Sequence, residues 1–197
     1  MVTIRDNKTP TLLVPDNGPI SALSSIRCLD WLLLPGIPVK ITDQVADEAT
    51  RNPDLPWSRE TCEWIVRNVV AERISIAYTD TGFDYRQQFD AWITGGMDPQ
   101  RRLRSRNLGE ASILGLMRSL SEEWQGDNKA VVLLDERFAR KALATIEANI
   151  DLVSTRAYFR LLTEDYGLND TAAYWRLVLD NIEDMDTLDE VRIIRVP

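Results

Sequence analysis

Short apolar runs alternate with longer stretches at helical spacing along this chain, and turn-forming residues divide them. Residues 11–14 read as a short buried strand, closed by the turn-rich run Pro15-Asp16-Asn17-Gly18-Pro19. Residues 20–34 carry apolar side chains at helical spacing until Pro35-Gly36 stops them. Residues 39–42 predict a second strand, and Asp43 is placed to cap a helix running to about Asn52. Ser58 is placed to cap a helix through Val70, residues 73–78 alternate as a third strand, and residues 84–93 read as helical until Gly95-Gly96. Residues 107–124 form a strongly amphipathic helix with Ile113, Leu116, Met117 and Leu120 on one side. A buried strand at 130–134, a helix at 136–148, a short strand at 151–153 and helices at 155–166 and 170–182 complete the pattern.

Strands that alternate with helices imply a parallel sheet covered on both faces. The expected fold is α/β, a three-layer α/β/α sandwich with a short central parallel sheet, formed by residues 1–197 as one domain. The stretch 50–106 reads as a helical insertion, and the chain after 180 as a C-terminal extension. In such sheets ligands bind beyond the carboxyl ends of the strands. That rule draws attention to Asp16, which follows the first strand, and to Asp135, which follows the strand at 130–134. Glu48 lies on the helix after the second strand, and Glu110 lies in the first turn of the 107–124 helix. Carboxylates so gathered would repel one another and raise each other's pKa values. A hard divalent cation such as Mg²⁺ relieves that repulsion and activates water.

Composition narrows the chemistry. The 197 residues are 44% hydrophobic and 27% charged, the balance of a globular domain with a real core. There is no histidine, which removes Ser-His-Asp and Cys-His catalysis. The two cysteines, Cys28 and Cys62, are too few for a structural zinc site and are expected as buried free thiols. No apolar run approaches a membrane span, and the N-terminus lacks a secretion-signal pattern, so a cytoplasmic protein is expected. Asp80-Thr81-Gly82 spells an aspartic-protease signature, but a single copy in a helix-rich chain cannot supply the facing pair of aspartates. Phosphate-binding glycine loops and nucleophile elbows are missing from the sequence. The net charge of −8 repels nucleic acid at long range, which local basic clusters and bound cations offset.

Four segments together resemble the PIN-domain family. Leu13-Val14-Pro15-Asp16-Asn17-Gly18-Pro19 is similar to its opening strand and first aspartate. Val45-Ala46-Asp47-Glu48-Ala49 is similar to its second acidic position. Asn107-Leu108-Gly109-Glu110-Ala111 and Val131-Val132-Leu133-Leu134-Asp135-Glu136 resemble the third and fourth. The resemblance spans about residues 11–182, with a poorly matched middle, and a hydroxyl residue common beside the fourth acid is missing. It implies a divalent-metal-dependent endoribonuclease acting on single-stranded RNA, often the toxin of a bacterial toxin–antitoxin pair. By the same resemblance Asp16, Glu48, Glu110 and Asp135 are the catalytic acids and the ligands of Mg²⁺ or Mn²⁺. Asn17 and Glu136 are accessory candidates, and a basic antitoxin or a second copy would be the protein partners.

Plainer readings stand beside these. Asp16 can cap the helix that follows it, and Asp47 is an equally legal choice beside Glu48. Glu110 stands at capping-box spacing from Asn107, and Asp135 can cap the next helix. Arg101, Arg102, Arg104 and Arg106 either grip RNA phosphate or form a solvated loop. The six tryptophans fit the core better than base stacking. The rival functions are a non-catalytic PIN-fold binding module, and a metal-dependent phosphatase or DNA nuclease using the same acids.

Overall fold

A computed structural model describes residues 10–97, 107–124, 128–146, 149–181 and 193–196. Five strands lie parallel: β1 (Leu12–Pro15), β2 (Val39–Thr42), β3 (Ile74–Ala77), β4 (Ala130–Leu133) and β5 (Ile150–Val153). A sixth, β6 (Ile193–Val196), pairs antiparallel with β5, and the order across the sheet is β3-β2-β1-β4-β5-β6. The segment read as a C-terminal extension therefore contributes an edge strand. The segment read as an insertion likewise contributes β3 at the other edge.

Burial follows from that order. Every residue of β1 and β5 is buried, whereas only Ile74 is buried in β3. Leu13, Ile41, Leu133 and Leu152 are each at most 1% exposed. Each such side chain contributes roughly 1.5–3 kcal/mol of transfer free energy. Uninterrupted apolar runs form β1 and β4 because both faces of a parallel sheet are covered by helices.

The helices are α1 (Asn17–Ser25), α2 (Asp43–Thr50), α3 (Pro56–Val70), α4 (Asp80–Thr94), α5 (Leu108–Glu123), α6 (Arg137–Leu143), α7 (Thr155–Tyr166) and α8 (Thr171–Asn181). Several boundaries differ from the sequence expectation for local reasons. The single helix expected over 20–34 is split. α1 ends at Ser25, Arg27 takes a left-handed φ of 58°, and Leu29–Leu33 forms a separate 3₁₀ turn. Thr42 caps α2 by accepting from Val45 N–H, which leaves Asp43 inside the helix. Pro56 opens α3, so Ser58 is not its cap; its hydroxyl donates to the Ala49 carbonyl instead. α4 starts at Asp80 with Thr79 as cap, so Asp80-Thr81-Gly82 is simply a first helical turn. α6 is shorter than expected and ends at Leu143.

The tryptophans serve the interior: all six are buried or half-buried. Trp31 packs edge-on against Phe159 and Tyr174, and Phe159 against Trp175, which joins the 3₁₀ turn to α7 and α8. Both cysteines are free thiols, but Cys28 is half-buried and Cys62 exposed, so the expectation of two buried thiols does not hold. No described helix is long and apolar enough to cross a membrane.

Candidate functional site

Strand order decides which side chains meet. From β1 the chain proceeds outward through β2 to β3, then returns across the sheet to β4 and β5. The order therefore reverses between β1 and β4, and such a switch point leaves a crevice at the carboxyl end of the strands. Asp16 is the first residue after β1, and Asp135 is the second after β4. The pairing Pro15↔Leu133 is in register, and Asp16 N–H still donates to the Leu133 carbonyl at 2.9 Å. The two aspartates thus leave adjacent strands at one rim.

Asp16 is 7% exposed and occupies the N-cap position of α1, yet its side chain makes no capping bond. Its Oδ1 is buried with no hydrogen-bond partner. Burial first, and then the charge of Glu110, push its pKa up to about 8. Glu48 and Asp135 add to the rise, while the Asn17 backbone N–H opposes it. Glu110, Glu48 and Asp135 are therefore each near enough to act on Asp16. The capping explanation of Asp16 does not hold.

Glu48 and Glu110 meet Asp16 around Gly109. The Gly109 N–H donates to Glu48 Oε1 at 3.1 Å. A methyl group on Gly109 would stand 2.7 Å from Glu48 Oε2 and 3.3 Å from Asp16 Oδ1. Any side chain here would crowd both carboxylates. Asp47 is exposed and bridges to Arg51 at 2.5 Å, so Glu48, not Asp47, is the acid of α2 that faces Gly109. Burial raises the pKa of Glu48, helped by Glu110, while the Gly109 bond lowers it. Glu110 lies in the first turn of α5 with its Oε2 buried and unpartnered. Asn107 takes a left-handed φ of 64° with no side-chain capping bond, so the capping-box reading fails. Thr42 and Ser112 bond hydroxyl to hydroxyl at 2.6 Å, and Ser112 also donates to the Gly109 carbonyl. These bonds fix the start of α5 against the start of α2, and with it the spacing of Glu48 and Glu110.

Asp135 is held differently. The pairing Leu133↔Val153 brings Thr155 level with it two residues further on. Thr155 donates its backbone N–H to Asp135 Oδ1 at 2.9 Å and its hydroxyl to Oδ2. Asp135 Oδ2 also lies 3.4 Å from where a Cβ on Gly18 would stand, which places this carboxylate beside the start of α1. Buried Arg140 bonds the Leu134 and Asp135 carbonyls at 2.8 Å and approaches Asp135 Oδ1 at 3.8 Å. Burial raises the Asp135 pKa, while the Thr155 bonds and Arg140 lower it. Thr155 and Arg140 are the supports that sequence reasoning missed. The residue pair Ser154-Thr155 ahead of an apolar helix was the available signal for Thr155, because hydroxyls there turn back on local groups.

The accessory candidates have local roles. Asn17 accepts from Ser21 one turn on. Glu136 caps α6 by accepting from Ala139 N–H at 2.6 Å. Arg101, Arg102, Arg104 and Arg106 lie outside the described residues.

Among the described residues, no three acidic or cysteine side chains stand in ready-made metal-binding geometry. Mg²⁺ does not require such a cage, because it is usually held through one or two carboxylates and keeps several waters. The donors fit a hard cation: all are carboxylate oxygens, and two of those oxygens are buried without a partner. Replacing Gly109 with alanine tests the packing of this cluster. The added methyl meets the flexible end of Glu48, so the melting temperature should change little. Displacing Glu48 should weaken Mn²⁺ binding by about 10- to 100-fold, read by titration calorimetry. Unchanged binding would show that Glu48 takes no part. No protein-family model matches this chain, and no curated protein or solved structure matches it either.

Proposed function

We propose that this chain is a divalent-metal-dependent nuclease that cuts a phosphodiester bond, with single-stranded RNA as its substrate. The reading rests on one observation: Asp16 is a buried acid surrounded by acids, and its Oδ1 lacks any partner. A buried charge without compensation costs several kcal/mol, and a cation supplies the missing compensation. Asp16 and Glu110 are the first choices for direct ligands, because each presents an unpartnered oxygen. Glu48 and Asp135, whose carboxylates already accept hydrogen bonds, still have lone pairs for a ligand or for its waters. Bound Mg²⁺ or Mn²⁺ would make water a stronger acid and offset charge gathering on a phosphate. The N-termini of α1 and α5 point into the same rim and favour an anionic substrate there. The net charge of −8 suits a basic protein partner that silences the site, as the antitoxin reading expects.

That no group of three acids stands in metal-binding geometry among the described residues favours a second reading, a non-catalytic binding module. Melting the purified protein with and without Mn²⁺ separates the two. The nuclease reading expects a rise in melting temperature that vanishes in Asp16→Asn, together with Mn²⁺-dependent cleavage of single-stranded RNA. No rise and no cleavage would leave the binding module. Cleavage of DNA or of a small phosphate ester in preference to RNA would assign a different substrate to the same acids.

A further inference from the structure

Three helices start beside the acids, and each brings a buried oxygen without a partner. Asp16 Oδ1 stands at the start of α1, Glu110 Oε2 in the first turn of α5, and Gln44 Oε1 in the first turn of α2. Gln44 is 3% exposed. α2 follows β2 at its carboxyl end and packs against both α1 and α5. Gln44 precedes Glu48 by four residues, so the two share one face of α2 with Cβ atoms about 5–6 Å apart. Glu48 in turn meets Gly109, where Asp16 also stands. The buried Oδ2 atoms of Asp43 and Asp151 are answered by Arg86 at 3.3 Å and Lys129 at 2.8 Å, but no cation or donor answers Gln44. A buried acceptor with no donor costs free energy until one arrives. The neighbouring acids do not supply it, because ionised carboxylates only accept. Waters on a hard cation are donors, and Mg²⁺ keeps several of them.

We propose that Gln44 is the neutral member of the acid crevice, its Oε1 accepting a hydrogen bond from a water carried by the bound cation. The inference rests on the metal reading of that crevice. A cation ~2.1 Å from a carboxylate oxygen, with a water hydrogen-bonding at about 2.8 Å, spans the separation of Glu48 from Gln44. An amide suits this place better than a fifth acid. It supplies an acceptor oxygen without adding charge to the carboxylates that already crowd Asp16. Gln44 meets the cation only through that water, so it is a positioning residue that fixes the water's orientation.

The test uses the full chain and Mn²⁺ alone. Gln44→Met keeps the length of the side chain and removes the acceptor. Titration calorimetry should show Mn²⁺ binding about tenfold weaker than in the parent, the scale of losing a partner that orients the metal's ligands. In chelator the same variant should melt at the parent's temperature or above it, because a buried acceptor without a donor has been removed. Gln44→Glu, which keeps an acceptor oxygen at the same reach, should bind Mn²⁺ at least as tightly as the parent. Weaker metal binding in a protein that is no less stable is a pairing that a packing role does not produce. Gln44→Leu carries the same two expectations with a different shape, so a packing fault peculiar to one variant shows itself. Equal Mn²⁺ affinity in the parent and both apolar variants would overturn the proposal. A lower metal-free melting temperature in both would overturn it too, by revealing a protein partner for the amide. Absence of Mn²⁺ binding by the parent sinks the metal reading and this inference together. Binding by the parent that ignores Gln44 sinks this inference alone.

Discussion

Replacing Asp16 with asparagine should stabilise the metal-free protein and, in the same molecule, abolish the proposed cleavage. Burial and the charges of Glu110, Glu48 and Asp135 make an ionised Asp16 unfavourable. An amide of the same shape carries no charge and offers N–H donors to the unpartnered Glu110 Oε2. At pH 7.5 in a chelator, the variant should gain about 2 kcal/mol, which for a chain of this size raises the melting temperature by roughly 4–8 °C. Loss of a direct ligand removes several kcal/mol of transition-state stabilisation, so Mn²⁺-dependent RNA cleavage should fall by at least ~10³-fold. Calorimetry and a fluorescent cleavage assay read the two effects. A variant that is destabilised without metal would mean that Asp16 has a compensating partner after all. Such a site gives up stability for function, which is a common pattern where a fold keeps repelling charges together.

The second large effect is on pH. Asp16 has a folded pKa of about 8 against an ordinary value of 3.8, so the native state binds the extra proton between those limits. The unfolded chain has already lost it. The Asp16 contribution to metal-free stability should therefore be greatest near pH 4 and fall as the pH rises toward 8, with a limiting slope of about 1.4 kcal/mol per unit. Burial also raises Glu48 and Asp135, which act in the same sense. Metal competes with the same proton. Apparent Mn²⁺ affinity should climb by up to about tenfold per unit between pH 6 and 8 and level off above that. Denaturant melts in chelator and calorimetric titrations across that range measure both trends. A metal-free stability that rises from pH 5 to 8 would contradict the burial of an unpaired acid.

Much of the site was legible in the chain because parallel sheets place acids at strand ends in a recognisable way. Asp16 and Asp135 each follow a short apolar run, and that local fact is enough to nominate them. Their adjacency depends on strand order, and order is a long-range property that no local window contains. Glu48 and Asp47 could not be separated by spacing. The structure separates them because Arg51 draws Asp47 outward and the Gly109 N–H holds Glu48 inward. Thr155 and Arg140 were missed because they act on Asp135 across a strand pairing and a turn. β6 was missed because Ile193–Val196 lies in a segment read as an extension and forms by antiparallel pairing with β5, a long-range contact. The buried bridge of Lys129 to Asp151, 2.8 Å long at the start of β4 and β5, left no trace in hydropathy. Charged residues read as surface until a partner is known. The break between α1 and the 3₁₀ turn needed a left-handed Arg27, which a non-glycine residue does not announce.

A crystal soaked in Mn²⁺ and measured for anomalous scattering decides whether the acids share a cation. Manganese should appear as a peak about 2.1 Å from Asp16 Oδ1, with Glu110 or one of its waters as the next ligand and no peak in the Asp16→Asn crystal. An empty crevice at saturating Mn²⁺, with Asp16 keeping its proton at pH 8.5 and above, would contradict the metal-bound reading of this rim.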